Sequence, residues 1–326
     1  MERPPVTGGR EGKEIGPLEL LLATLVLGVV QGTVNALLGA GIVAVYRGTG
    51  VINFAHGAMA MVSTYVFVTL ADHHAPSFLG IPSALVIAVL VGIALGVAVD
   101  VLVMRPLARQ SALVRIIATL GVLYVLQSLA IITWGGATRG VPQLFPIGGH
   151  SIGPVDVSNN EIGIVLVAVL MAVLLTVFYH RTRFGTAIRA VASSRDAATL
   201  VGIRVKWVTA ASWALGGATG AVAGILVAPS LGLNSYILTL LVIQAFAAAL
   251  TGRLESLTLA LAGGVGLGLA TALASTYLEQ WLAAHPLSWV NVGNVGNGIA
   301  FLWIIALLLA WRRPATTLAR AEGSSL

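Results

Sequence analysis

Val45-Tyr-Arg-Gly-Thr-Gly-Val-Ile-Asn-Phe-Ala-His-Gly57 sets three glycines, Asn53 and His56 inside an otherwise apolar sequence. In hydrocarbon an unpaired backbone N–H or C=O costs roughly 2–7 kcal/mol, so irregular chain persists at membrane depth only where protein or water satisfies it. A segment of this kind reads as the lining of a route across a membrane.

The surrounding composition supports that setting. Hydrophobic residues make up 57% of the 326, charged residues only 9%, and there are 38 glycines; an average soluble domain has about 25% charged residues. With zero cysteines there is no disulfide framework, thiolate metal site or iron–sulfur cluster.

Apolar runs of about 20 residues, the length that crosses hydrocarbon, recur along the chain. Nine spans are read between breakers: Leu20–Val45, Val51–Leu70, Ser83–Met104, Leu113–Trp134, Ile162–Tyr179, Trp207–Val227, Tyr236–Leu250, Leu257–Tyr277 and Gly298–Trp311. The expected fold is all-α, a polytopic membrane helix bundle of about nine spans with a broken helix near residues 46–57. A polar tail (1–19) precedes the membrane domain (20–312), and a second tail (313–326) follows it.

Lysine and arginine accumulate in short cytoplasmic loops. Arg47, Arg105, Arg109, Arg115, the cluster from Arg181 to Lys206, Arg253, Arg312, Arg313 and Arg320 all fall on one side of the nine spans. Beyond the N-terminal tail, the other side has only Arg139. The net charge of +6 is therefore a topology signal, with no nucleic-acid partner implied. This places the C-terminus in the cytoplasm and the N-terminus outside, even though the leading tail carries Arg3, Arg10 and Lys13 beside four glutamates. Asp72, Asp156, Glu161, Glu279 and the loop Gly135–Gly153 fall outside as solvated connections.

Glycines four apart recur at Gly28/Gly32, Gly92/Gly96, Gly216/Gly220/Gly224 and Gly264/Gly268. They read as close helix packing within one subunit rather than a dimerisation face.

Acidic residues occupy span ends, loops and tail; Asp100, the deepest, lies about one turn from the cytoplasmic end of its helix. A proton or sodium relay built on a midplane carboxylate is therefore disfavoured. Gly8-Gly-Arg-Glu-Gly-Lys13 has the wrong spacing for a phosphate-binding loop and is followed by Glu14. Asp72-His73-His74 reads as a wet helix end, and no metal is assigned. No catalytic residue is assigned either.

Between the fifth and sixth spans, segment 181–206 is more than a connector. Ser194 is placed to cap a short helix from Arg195, with Ala197, Ala198 and Leu200 inside it and Gly202 stopping it. Pattern alone leaves two readings open: a helix that docks into a partner, and an amphipathic turn on anionic headgroups.

Three blocks, taken in order, resemble the membrane permease subunits of branched-chain amino-acid ABC importers, the LivH type. They are Gly50-Val-Ile-Asn-Phe-Ala-His-Gly57, Arg105-Pro-Leu, and Gly185-Thr-Ala-Ile-Arg-Ala-Val-Ala with Ala198-Thr-Leu-Val-Gly-Ile203. The resemblance runs from Leu20 to Trp311. It implies a bacterial inner-membrane protein working with a second permease, two cytoplasmic ATPase subunits and a periplasmic or lipid-anchored substrate-binding protein. ATP would be used by those partners, with no cofactor in this chain. It also favours docking for segment 181–206, with Arg189, Arg195, Asp196, Ala198, Leu200, Gly202 and Ile203 as coupling residues. Two departures stand out. Thr251-Gly-Arg-Leu-Glu-Ser256 replaces the family's Gly-Gly-x-Gly-Ser, and Ala58 stands where Glu is common after His-Gly.

For the route itself, Asn53, Phe54, His56 and Gly57 are expected at the break. Gln31 and Asn35 on the first span, Gln127 on the fourth and Gln244 on the seventh are further candidates, each weighed against ordinary interhelical hydrogen bonding. The half-helix starting at the break would offer N–H groups and a positive dipole end to a carboxylate. His56 reads as a hydrogen-bonded structural residue, since no carboxylate is placed to relay with it. The leading function is import of branched-chain or other hydrophobic amino acids. The rivals are the same machinery carrying urea, short amides or another small polar solute, and an ion-driven secondary transporter or channel.

Overall fold

The computed structural model describes residues 16–72, 80–141, 143–152, 155–284 and 295–311. The outer parts of both tails, Gly8–Lys13 and the His73–His74 pair lie outside the described residues. Helix α1 (Pro17–Thr49) opens on a proline, whose missing N–H matches an unpaired first-turn position. Its 33 residues extend about 50 Å at 1.5 Å per residue, more than the roughly 30 Å hydrocarbon thickness. There follow α2 (His56–Ala71), α3 (Ile81–Val99) running into a π-helical turn (Asp100–Met104), and α4 (Ala112–Trp134). A hairpin of β1 (Gly149–Ile152) and β2 (Val155–Ser158) leads to α5 (Asn159–Arg181), α6 (Arg183–Ser193), α7 (Arg195–Leu200) and α8 (Val205–Leu231). Helices α9 (Ser235–Thr251), α10 (Leu257–Ala284) and α11 (Val295–Ala310) complete the bundle.

Among the described residues, six helices are long and apolar enough to cross a membrane and three shorter ones are apolar. These nine fall on the nine spans read from the sequence. The boundary difference that bears on the site is in the second: Val51 and Ile52 are apolar but not helical, and α2 starts only at His56. Helix α1 is central. It packs on α8, α9, α10 and α5, while α8 also supports α2 and α3.

All four glycine stripes are spent on these internal contacts. Gly28 and Gly32 of α1 meet α10 at Leu269 and Val265, and Gly264 and Gly268 return the contact at Ala36 and Gly32. Gly92 and Gly96 press on the α8 carbonyls of Gly217 and Trp213; Gly216, Gly220 and Gly224 receive Val45, His56 and Ala60. A Cβ at Gly32 would lie 2.8 Å from Val265 Cα, so the two backbones approach to a distance that no side chain permits.

The π turn has a visible cause. Asp100 is buried and accepts from Arg105 Nε at 3.0 Å and Thr209 Oγ1 at 3.4 Å. Arg105 Nη2 also reaches Lys206 O at 3.2 Å, tying this helix end to the first turn of α8. Pro106 has no N–H with which to continue the ladder.

The end of the bundle opposite the arginines was expected to carry only loops there, but its connection includes a strand pair. Gly149 faces Ser158 and Ile152 faces Val155 in antiparallel register. Val155 and Val157 are buried, an alternation hidden among the surrounding glycines and prolines. Ser158 then begins α5 with a reciprocal cap: Glu161 N–H donates to Ser158 Oγ and Ser158 N–H donates to Glu161 Oε2. Arg139, the isolated arginine of that end, bridges backbone to backbone with Leu233 and donates from Nη2 to Trp134 O at 2.6 Å.

Candidate functional site

Two regions carry the features singled out in the sequence: the break between α1 and α2, and the paired short helices α6 and α7.

Helix α1 stays helical through Gly48 and Thr49 and ends at Gly50, whose φ of 67° permits a left-handed cap and whose N–H donates to Tyr46 O at 2.7 Å. The interruption is therefore residues 50–55, at the end of a full-length helix. From there the chain turns back into the bundle. His56, the first residue of α2, lies against Gly41 of α1, about 12 Å back from the end of that helix. Helix α2, with 16 residues and thus about 24 Å long, begins inside the bundle and spans less than the hydrocarbon thickness.

The break is held by its own polar groups. Asn53 Oδ1 accepts from Ala55 N–H at 3.0 Å, an Asx turn, while Nδ2 approaches Met59 Sδ at 3.6 Å. Thr119 of α4 anchors the extended chain: its Oγ1 accepts from Phe54 N–H at 3.2 Å and donates to Ile116 O at 2.7 Å. The Phe54 ring packs against Phe246 of α9, with centroids 4.7 Å apart.

His56 is fully buried in a slot whose walls are glycines. A Cβ on Gly41 would lie 2.6 Å from its Cε1, and one on Gly220 would lie 3.3 Å from the same atom. Within strict hydrogen-bond geometry neither ring nitrogen has a partner among the described residues, and the Leu38 backbone of α1 is the polar group that interacts with the ring. The ring acts chiefly as a packing wedge between α1 and α8. Gly57 has an equivalent role on the other side, where a Cβ would overlap Thr239 O of α9.

The remaining candidates are spread around this point. Gln127 Nε2 donates to Ser235 O over a long 3.5 Å. Asn35 is buried and its Nδ2 has no partner among the described residues. Gln31, one turn away on the same helix, is half-buried, and Gln244 is buried on α9. Helices α1 and α9 meet where Gly39 sits against Ala248, at 2.7 Å for a built Cβ. Two sets of uncharged donors are without a side-chain partner among the described residues: Asn35 Nδ2, further back along α1, and the first turn of α2, which has no side-chain cap. Sequence reasoning did not single out Thr119, Thr239, or Tyr65, whose hydroxyl lies 3.0 Å from Ser235 Oγ.

In the second region the short helix is where it was expected. Ser194 Oγ accepts from Ala197 N–H at 3.2 Å, and α7 covers Arg195–Leu200. Gly202, at φ 84°, closes it: its N–H donates to Thr199 O and Ile203 N–H to Ala198 O, both at 3.0 Å. Helix α6, capped by Thr182 accepting from Gly185 N–H, was not foreseen. Ala198 faces inward and Ile203 packs against the core, while Leu200 and Val201 are 88% and 76% exposed. Arg195 and Asp196 are exposed. Arg189 is half-buried and donates from Nη1 to Tyr179 O and from Nη2 to Thr186 Oγ1. A cleft of about 570 Å³ separates α7 from the last turn of α1, bounded by Arg47, Thr49, Ser194, Arg195 and Glu255.

In the altered turn after α9, Arg253 and Leu254 adopt φ of 52° and 60°, a conformation that disfavours side chains. Leu254 is buried there, and the Arg253 guanidinium lies 5.5 Å from the Trp311 ring centroid.

Comparison with known proteins agrees with this architecture. LivH of Escherichia coli K12, a high-affinity branched-chain amino acid transport system permease protein, is 33% identical over 265 residues, covering 77% of this chain and 85% of LivH. BraD of Pseudomonas aeruginosa, described in the same terms, is 31% identical over 271 residues, covering 80% of this chain and 88% of BraD. The solved structure of PsaBC from Streptococcus pneumoniae in complex with Fab shares the fold, with a TM-score of 0.51, 13% identity, and coverage of 93% of this chain and 95% of that one. The family model for the permease component of branched-chain amino acid transport systems matches residues 24–309, and the chain is a multi-pass membrane protein that belongs to this permease family.

Proposed function

We propose that this chain is the permease subunit of an ABC importer that carries branched-chain or other hydrophobic amino acids into a bacterial cell. The observation that carries the reading is the match to LivH and BraD along most of both chains. In this reading the chain lies in the cytoplasmic membrane with its arginine-rich face and C-terminus inside and its N-terminus outside. It pairs with a second permease and receives substrate from a binding protein. Two ATPase subunits supply ATP hydrolysis, and the chain does no chemistry of its own.

The geometry supports a division of labour. In this proposal the dipoles of the break, rather than fixed charges, meet the substrate, which suits a zwitterion that brings both charges with it. At the arginine-rich face, Leu200 and Val201 form an apolar tip of the kind that marks a docking surface. Asn35, Gln31, Gln127 and Gln244 belong to the route in this proposal, while Asn53, Phe54, His56 and Gly57 fix the shape of its narrowest part.

The test is uptake by proteoliposomes carrying the complex purified through a tag on this chain. ATP-dependent accumulation of leucine, isoleucine or valine is expected. Accumulation of urea or short amides in their place would overturn the cargo. Uptake by the chain alone, driven by an ion gradient, would overturn the ABC reading.

A further inference from the structure

The structure assigns to Tyr179 a positioning role: it links the α6–α7 segment to the end of α1 from which the break departs. The inference rests on the reading of the chain as a permease driven by separate ATPases.

Tyr179 lies at the last turn of α5 and is 1% exposed, yet three groups from other parts of the chain converge on it. Its hydroxyl donates to Ala44 O of α1 at 3.3 Å. The guanidinium of Arg47, one turn further along α1, lies 5.6 Å from its ring centroid, within the range of a cation–π contact. Arg189 of α6 donates from Nη1 to its backbone carbonyl. Gly185 of α6 also sits so close to Tyr179 O that a Cβ there would overlap it. One residue thus joins α6 to the last two turns of α1, and Gly50 follows directly.

Elsewhere α7 and α1 are apart. The cleft of about 570 Å³ lies between Ser194–Arg195 and Thr49–Gly50, so a push on α7 does not reach α1 by direct packing there. It reaches α1 through α6, which packs on α1 directly and is tied to it by the polar contacts of Tyr179. The last turn of α1 packs closely on α8, since a Cβ on Gly48 would overlap Ser212, and the turn is continuous with the cap at Gly50. A displacement delivered at Ala44 and Arg47 is therefore passed to residues 50–55, whose only regular elements are a glycine cap and an Asx turn.

The experiment uses the purified complex, with Ile52→Cys introduced into this otherwise cysteine-free chain as a thiol reporter on the break. ATP is expected to change the rate at which a maleimide labels that thiol. Tyr179→Phe, which keeps the ring and removes the hydroxyl, should leave ATPase co-purification and basal ATP hydrolysis intact. It should reduce the ATP-dependent change in labelling about two- to tenfold, the range that corresponds to losing one hydrogen bond. Arg47→Met should act in the same direction, and Arg47→Lys, which restores a cation over the ring, should recover part of the response.

An undiminished response in both Tyr179→Phe and Arg47→Met overturns the link. So does a fall in labelling response, hydrolysis and co-purification in equal proportion, which is the mark of a merely structural residue. If the reporter shows no response to ATP although the ATPases co-purify and hydrolyse, the link is again overturned while the ABC reading stands. If no ATPase accompanies the chain without these substitutions, it is the ABC reading that fails.

Discussion

The break and the α7 tip solve opposite problems with opposite means. At residues 50–57 the polar groups are turned inward: Asn53 serves Ala55, Thr119 serves Phe54, and His56 fills a slot walled by Gly41 and Gly220. At residues 195–203 it is apolar groups that are left over, with Leu200 and Val201 facing away from the bundle. The first region is shaped by how closely backbones approach, so it tolerates little change in volume. The second has unused surface and needs only the right chemistry. A substitution that adds bulk should therefore harm the break most, and one that changes polarity should harm the tip most.

Gly41→Leu should have the largest effect. Its side chain would enter the space of the His56 ring and of Thr219 Oγ1, and overpacking of this kind costs about 1–3 kcal/mol or more. Loss of folded protein from the membrane is expected, measured by detergent-extracted yield and thermal unfolding. A stable Gly41→Leu protein would mean that α1, α2 and α8 are not packed as tightly as the glycine contacts require.

Leu200→Asp should leave the bundle untouched and remove the partner. Losing a central apolar anchor costs about 2 kcal/mol or more of association, roughly thirtyfold. Co-purification of the ATPases and substrate-stimulated hydrolysis should both collapse while the permease still inserts. Gly202→Pro should do the same, because the cap at φ 84° is closed to proline. Normal ATPase association in both variants would show that the exposed tip is not the docking surface.

Asn53→Leu ranks third. It strips the acceptor from Ala55 N–H in a fully buried turn, leaving a donor that costs about 1–3 kcal/mol. Transport should fall sharply with modest loss of protein, and Thr119→Val should give a smaller fall by freeing Phe54 N–H. Wild-type uptake in Asn53→Leu would detach the Asx turn from function.

Much of this was legible in the sequence because hydropathy and glycine spacing report on the membrane and on helix contacts directly. The nine spans and all four glycine stripes fall where they were read, and Ser194 and Gly202 bound α7 as their types require. What was not legible has physical reasons. Val51 and Ile52 are as apolar as a helix, so hydropathy could not tell extended chain from α2, and Gly48 looked like part of the break although it is a contact point for Ser212. Thr119 resembles any membrane threonine bonded to its own helix, as its bond to Ile116 O illustrates. The meeting of Tyr179 with Ala44 joins positions 135 residues apart, and no local pattern announces it.

The smallest expected effect is at His56, and it separates shape from chemistry. The ring is held mainly by shape, with the Leu38 backbone as its polar neighbour, so His56→Ala removes chiefly volume. Transport should fall less than in Asn53→Leu, with a loss of thermal stability from the vacated slot. Gly220→Ala places a methyl 3.3 Å from the His56 Cε1 atom, tight enough to be mildly destabilising on its own. Combined with His56→Ala the same methyl enters vacated space, so the double variant should be more stable than the sum of the two single losses predicts. Coupling of that sign, read from unfolding temperatures, identifies His56 as a wedge. Strict additivity, or equal loss of transport from His56→Ala and Asn53→Leu with normal assembly, would instead give the imidazole a chemical part in passage and set the break apart from the tip for a different reason.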